Sequence, residues 1–321
     1  MKRISVREFG GPEVLKIEEA DDPRPESGQV VVRIRAAGVN PADTYMRSGA
    51  YGSRNPALPF TPGSDGAGIV HAVGPDVSGL KVGDRVYTCG TLSGSYAEMA
   101  LCQRSQLQKL PDKVTFPEGA AIFVPYVTAY RALFQLACAE TAATVLIHGA
   151  SGGVGIAAIQ MARRAGLRIM ATAGTAGGLE LIREEGADIC LDHHSPDYRQ
   201  AILEATSGKG VDVILEMLAN VNLGHDLELL AEGGRVIVIG SRGPVEIVPR
   251  NLMSRNASII GMLLWNTPPA ALAAAIAEVN KRLVGGTIRP RVRAEIPLAN
   301  APEAHRLVME PGAGGKIVLI P

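Results

Sequence analysis

Apolar positions change rhythm twice along this chain of 321 residues. Over the first third they fall in short runs broken by glycine and proline. Residues 29–35, Gln-Val-Val-Val-Arg-Ile-Arg, read as a strand that the segment from Gly38 to Pro41 interrupts, and 69–73 and 83–87 read as further strands. Short strands with this punctuation predict a small β-barrel or sandwich. From about residue 116 to 261, strand-like runs at 143–148, 167–172, 188–192, 211–217 and 235–239 alternate with helical patterns such as 154–165 and 179–185. Repeated β–α units of this length predict a parallel sheet covered by helices on both faces. After Gly261 the pattern mixes again, with an alanine-rich helix at 268–283, a strand near Val292, a helix around 301–308 and a closing strand at 316–320. This tail is too short to fold alone. The expected organisation is therefore a β-rich domain, 1–116 completed by 262–321, with a doubly wound α/β domain, 117–261, inserted into it.

Composition agrees with two soluble domains, at 46% apolar and 20% charged residues. Lysine plus arginine equals aspartate plus glutamate, at 32 each, so no general field collects nucleic acid or anionic membrane. The most apolar stretch, 119–139, is interrupted by Pro125 and Arg131, and the first eight residues lack the apolar core of a signal peptide. A cytoplasmic location without a membrane span is expected. Cys89, Cys102, Cys138 and Cys190 are widely spaced, with no CxxC pair, and read as small buried hydrophobes.

The strongest local signal is Val145-Leu146-Ile147-His148-Gly149-Ala150-Ser151-Gly152-Gly153-Val154-Gly155. A buried strand enters a glycine-rich turn and an amphipathic helix follows. There the backbone can approach a pyrophosphate, and the free N–H groups of the helix start favour its charge. The spacing is G-x-x-G-x-x-G, a weak pattern alone, but the turn opens the first unit of an alternating β–α series, which makes it a dinucleotide site. The second strand ends Ala171-Thr172-Ala173-Gly174-Thr175 with no carboxylate to bind a ribose 2′-hydroxyl, which favours NADPH over NADH. No lysine or arginine follows closely to hold a 2′-phosphate.

Over essentially its whole length the sequence resembles the zeta-crystallin branch of the medium-chain dehydrogenases/reductases, the zinc-free NADPH:quinone oxidoreductases. The matching segments include Gly10-Gly11-Pro12-Glu13-Val14-Leu15, Gly38-Val39-Asn40-Pro41-Ala42-Asp43-Thr44-Tyr45, Pro62-Gly63-Ser64-Asp65, Val124-Pro125-Tyr126-Val127-Thr128-Ala129, Glu216-Met217-Leu218-Ala219-Asn220-Val221-Asn222-Leu223 and Gly240-Ser241-Arg242-Gly243. The resemblance implies a Rossmann sheet inserted into a GroES-like catalytic domain, a quinone substrate and NADPH. It implies that Ser151, Gly152, Gly153 and Val154 hold the pyrophosphate and that Gly174 and His193 flank the adenosine ribose and its phosphate. Asn222, Ile239, Gly240, Ser241 and Arg242 would line the middle of the coenzyme, and Met262, Leu263 and Leu264 its nicotinamide end. Tyr45 would reach it from the other domain, and Thr128 would abut the ring. The residues alone leave other roles open: His193 beside His194 could be an exposed loop pair, Arg242 a solvated turn residue, and Tyr45 a packing residue.

Zinc-dependent relatives carry a cysteine where this chain has Asn40, and Gly-His-Glu where it has Gly63-Ser64-Asp65. With those ligands absent, no catalytic zinc is expected. The acceptor should then take a hydride readily without a Lewis acid, as a quinone does. Asn40, Tyr45 and Tyr51 are the candidate groups to orient it. Two alternatives remain: a reductase of enones or enoyl thioesters using Tyr45 as proton donor, and an RNA-binding or structural crystallin-like role, for which the sequence offers no basic stripe or aromatic RNA motif. The apolar run 258–265 could form an exposed sheet edge, so a homodimer is expected first and a homotetramer second.

Overall fold

The computed structural model describes residues 1–52, 55–312 and 314–321. Two compact units divide the chain, Met1–Val124 with Arg289–Pro321, and Pro125–Ile288.

The first unit contains β1 (Lys2–Ser5), β2 (Lys16–Glu19), β3 (Gln29–Val39), β4 (Asp65–Val73), β5 (Arg85–Thr88), β6 (Met99–Gln103) and β7 (Leu107–Lys109). The second contributes β8 (Thr144–Ile147), β9 (Arg168–Ala173), β10 (Ile189–Asp192), β11 (Val211–Glu216), β12 (Leu230–Val238) and β13 (Ser258–Gly261). The chain then returns to the first unit as β14 (Val292–Pro297) and β15 (Lys316–Ile320).

In the second unit the six strands form one parallel sheet in the order β10-β9-β8-β11-β12-β13. The order reverses between β8 and β11, so the crevice for a ligand opens at the carboxyl ends of these two strands. Leu146, Ile147, Ile214 and Leu215 are fully buried, as strands covered on both faces require. Three abutting helical turns, Phe123–Val127, Thr128–Tyr130 and Arg131–Leu136, occupy the apolar stretch that excluded a membrane span; the first and last are wound wide. Among the described residues no helix is long and apolar enough to cross a membrane.

The second unit runs to Ile288, beyond the expected boundary at Gly261. The helix Pro269–Val284 is held there: Gln135 Nε2 donates to the Ala271 carbonyl at 2.9 Å, and the Arg282 guanidinium lies 5.5 Å from the Phe134 ring centroid and 5.9 Å from that of Tyr130. An alanine-rich helical pattern carries no information about which of two cores will cover it.

The first unit is built on the order β14-β15-β3-β4-β5-β7, with β6 also pairing β3. The tail does return here, since β15 lies antiparallel to β3 and β14 parallel to β15. Val30, Val32, Ile34, Ala37 and Val39 alternate into a core with Val86, Tyr96, Ile317 and Leu319. Cys102 is buried in that core and Cys89 is buried in the same unit, as expected. Cys138 is exposed and Cys190 half-buried, against expectation; Cys138 sits just past the last helical turn with φ +49°, where the chain leaves the core.

A buried polar chain ties the helices of this unit together. Asp43 Oδ2 accepts from the Asn40 N–H at 2.8 Å and from the Tyr96 hydroxyl at 3.1 Å. His305 Nε2 stands 3.2 Å from that hydroxyl, and Arg47 Nη1 lies 3.4 Å from His305 Nδ1. Desolvation, followed by repulsion from Arg47, pushes the His305 imidazole down to about 3. Desolvation lifts the Asp43 carboxyl to about 6. The signs oppose. His305 stays neutral in the fold while the unfolded chain takes up a proton below the ordinary histidine value of 6.5, so its contribution is lost on acidification from 6.5 towards 3. Asp43 binds its proton earlier in the fold, so its contribution rises as pH falls from about 6 towards 3.8. His305→Gln should remove the first effect alone. Between pH 6.5 and 4.5 its stability relative to wild type should rise by up to about 1.4 kcal/mol per pH unit. Chemical denaturation at three pH values checks this, and parallel profiles would refute it.

Candidate active site

The glycine-rich turn takes its shape from three positions. Gly149 has φ +56°, a conformation that costs a side chain energy and glycine little. Its N–H meets Thr172 Oγ1 at 3.3 Å, and the Ala150 N–H reaches the Thr172 carbonyl at 2.9 Å, which pins the turn to the end of β9. A Cβ at Gly155 would lie 2.4 Å from the Ala150 Cα and 2.5 Å from its carbonyl oxygen. Both obstacles are backbone, so only glycine lets the start of the helix Gly153–Arg164 pack this close to the turn at Ala150. The N-cap residue, Gly152, has no side chain with which to cap that helix. The first amides, from Gly153, Val154 and Gly155, have no acceptor within the helix. With the helix dipole they form a cradle of positive partial charge. Ser151 is buried, and its Oγ lies 3.3 Å from where a Cβ of Gly178 would stand.

Gly174, past the end of β9, faces the paired imidazoles of His193 and His194. A Cβ there would lie 2.5 Å and 2.7 Å from their Nε2 atoms. Both histidines are exposed, with ring centroids 4.5 Å apart. Thr175 caps the next helix, Ala176–Glu185, by accepting the Gly178 N–H at 3.0 Å. The end of β9 carries no carboxylate, but its neighbour supplies one: Asp192 on β10 is in register with Ala173. Its Oδ1 is occupied by the His194 N–H at 2.9 Å. Reading the strands one at a time hid that neighbour.

Further along the sheet, a pocket of about 450 Å³ is lined by Ile239, Gly240, Ser241, Met262 and Leu263 together with Arg131 and Asn266. Five predicted residues from two segments thus meet, while Arg131 and Asn266 were not foreseen. A Cβ at Gly240 would strike the Met217 carbonyl at 2.4 Å. Asn222 donates to Glu216 Oε1 at 3.3 Å, and Leu264 is buried. The Arg242 side chain is exposed, and its N–H donates to Asn220 Oδ1 at 2.8 Å. Thr128 is buried in the second unit.

Within the first unit Tyr45 lies on the helix Pro41–Ser48, half-buried. Tyr51 follows that helix, its N–H bonded to Asn55 Oδ1 at 2.9 Å. Asn40 is buried, with both ends of its amide engaged. Its Nδ2 donates to Asp65 Oδ2 at 3.0 Å, and its Oδ1 accepts from Lys316 Nζ. Lys316 Nζ also donates to Asp65 Oδ2 at 2.7 Å, and Asp65 Oδ1 accepts the Val124 N–H at 2.9 Å.

Two family profiles match the sequence. "Alcohol dehydrogenase GroES-like domain" covers residues 26–112 and "Zinc-binding dehydrogenase" covers 153–281. The human protein named quinone oxidoreductase is 47% identical over 322 aligned positions, spanning 100% of this chain and 98% of its own. The chain belongs to the quinone oxidoreductase family of medium-chain dehydrogenases/reductases. Among solved structures, the Escherichia coli quinone oxidoreductase complexed with NADPH superposes with a TM-score of 0.91 at 29% identity, each chain covered fully. A structure described as an NAD-dependent alcohol dehydrogenase gives 0.93 at 29% identity, again over both whole chains.

The zinc in the second profile's description does not fit the residues of this member of the quinone oxidoreductase family. Asn40, Ser64 and Asp65 include no cysteine or histidine, and the Lys316 ammonium is bonded to two of them. A cation added beside it would be repelled. Lys316 escaped the sequence reading because it looks like the polar start of an ordinary closing strand; the pairing of β15 with β3 puts its ammonium under Asn40. Lys316→Met should leave the Asp65 charge buried without its partner and lower stability by about 3–5 kcal/mol. Adding Asp65→Asn should restore most of that loss. Thermal and chemical denaturation of the two variants measure both steps, and a single variant as stable as wild type would show the pair to be dispensable.

Proposed function

We propose that this protein reduces quinones with NADPH. The observation that carries the reading is the fit of the turn at 149–155 to a dinucleotide pyrophosphate, within a chain aligned end to end with a curated quinone oxidoreductase. Gly149 and Gly155 leave the backbone bare, and the helix Gly153–Arg164 presents uncapped amides towards an anion. The solved neighbours complexed with NADPH support that coenzyme.

In this reading Ser151, Gly152, Gly153 and Val154 hold the pyrophosphate. Gly174 and His193, which stand against one another, flank the adenosine ribose. Asn222 and the segment from Ile239 to Arg242 line the middle of the coenzyme. Met262, Leu263, Leu264 and Thr128 enclose its nicotinamide end in apolar surface, and Tyr45 adds a hydroxyl. When bound, the coenzyme supplies the reducing equivalents. The protein's share is to hold the ring, exclude water and present polar groups to the acceptor's oxygens. Tyr45 and Tyr51 fit the last task, since each carries a hydroxyl and neither residue is fully buried. Asn40, with its amide spent on Asp65 and Lys316, acts by fixing the start of the helix that carries Tyr45.

The edge strand β13 pairs only with β12 among the described strands. It is a surface on which a second copy could extend the sheet, so a homodimer in the cytoplasm is the proposed state, with a homotetramer next.

Steady-state assays should give a kcat/KM for NADPH at least about tenfold above that for NADH, with a simple ortho-quinone turned over and a crotonyl thioester not. Preference for the thioester would transfer the protein to the enoyl reductases. Ser151→Asp places a carboxylate beside the pyrophosphate and should raise the NADPH Kd at least about tenfold through like-charge repulsion. Unchanged affinity would move the pyrophosphate elsewhere.

A further inference from the structure

Beneath the glycine-rich turn lies a buried cluster that the proposed reaction does not use. His148 leads directly into Gly149, Glu216 ends β11, and Asp226 lies on the helix Ala219–Leu229. The three residues are 3%, 0% and 1% exposed. His148 Nε2 bonds Asp226 Oδ1 at 2.9 Å and stands 3.7 Å from Glu216 Oε2. On its other side, His148 Nδ1 lies 3.4 Å from Thr172 Oγ1, the hydroxyl that also meets the Gly149 N–H. Glu216 Oε1 accepts from the Leu218 N–H and from Asn222 Nδ2. The cluster therefore holds both the turn and Asn222.

Two oxygens of the cluster have no donor. Glu216 Oε2 and Asp226 Oδ2 are fully buried and meet no N–H or O–H among the described residues. Yet Glu216, Asp226 and His148 bring one side-chain ligand atom each to within 4.8 Å of one another. Two buried carboxylates facing each other are costly. One proton between them satisfies both oxygens and removes one charge.

We propose that Glu216 and Asp226 share one proton, and that this proton is a linked ligand of the coenzyme turn, retained when the anionic coenzyme is bound. The inference rests on the coenzyme reading above. With the proton present the cluster is an imidazolium, a carboxylate and a carboxylic acid, with no net charge. Without it a buried negative charge stands behind the cradle for the pyrophosphate. Desolvation lifts the Glu216 carboxyl to about 7, against attraction from His148. Hydrogen bonding to Asp226 and the two nearby carboxylates hold the His148 imidazole above its ordinary value despite desolvation. The other titratable groups that feel the cluster are Tyr198 on the helix Tyr198–Ala205 and His193 after β10, with Asp192 and His194 beside it. His225 is bonded to Arg199 instead, on the exposed side of the same helices. His148, Glu216 and Asp226 are positioning residues.

The test measures Kd for NADPH and for NADH between pH 6 and 8.5 at constant ionic strength, in wild type and Glu216→Gln. NADH lacks the 2′-phosphate, which titrates near 6 itself. Calorimetry of wild type in two buffers of different ionisation enthalpy counts protons taken up and needs no variant. Expected are net proton uptake near pH 7.5 and a Kd for both nucleotides that rises about three- to tenfold from pH 6.5 to 8. Glu216→Gln mimics the protonated acid, so it should keep the low-pH affinity and flatten the profile, and Asp226→Asn should flatten it too. A wild-type profile that is flat for NADH, or a variant profile as steep as wild type, overturns the proposal. So does a stoichiometric divalent metal in the purified protein whose chelation abolishes the pH dependence, since the three groups lie within 4.8 Å of one another and a cation would replace the proton. Failure to bind either nucleotide at any pH would instead remove the coenzyme reading, and this inference with it.

Discussion

The start of the helix Gly153–Arg164 lies so close to the turn that follows β8 that a methyl group at position 155 would overlap the backbone of Ala150. That contact sets the direction of the helix and leaves its first amides facing the crevice where the strand order reverses. Everything proposed for coenzyme binding depends on it. The pocket lined by Ile239, Gly240, Ser241, Met262 and Leu263 lies along the same sheet because β12 and β13 continue it in register from β11. A parallel sheet delivers its strand ends to one edge, so segments distant in sequence become neighbours without any special attraction between them.

Each unit also encloses a cluster of buried polar and charged groups. In the first, Lys316 meets Asp65 and Asn40. In the second, His148 meets Asp226 and Glu216 below the turn. Such clusters add little net stability compared with an apolar core, because desolvation offsets most of the attraction. Their effect is directional: a buried donor without its acceptor is costly, so geometries that pair the two are favoured. The helix start at Asn40 and the turn at Gly149 are the two places where that constraint acts.

The sequence made much of this legible. Alternating strands and helices gave the parallel sheet, and the glycine spacing gave the turn, because both depend on local periodicity and on the missing Cβ. Asn40, Ser64 and Asp65 already argued against zinc by residue type. The expected boundary at Gly261 stands 27 residues short of Ile288, where the structure divides the units, because the helix Pro269–Val284 is amphipathic enough for either core. Asp192 beside the end of β9 went unseen for a similar reason. Neighbouring strands of a parallel sheet are separated in sequence by a whole helix.

What the amino-acid order determined by itself was the set of elements, the glycine turn and the absence of zinc ligands at 40 and 64, since each follows from residue chemistry within a few positions. What only the tertiary structure decided was which charges are buried together. Lys316 lies 251 residues from Asp65, and His148 lies 78 from Asp226. Burial and pairing arise from strand order and packing. A polar side chain in the sequence looks the same whether water or a second buried charge will satisfy it.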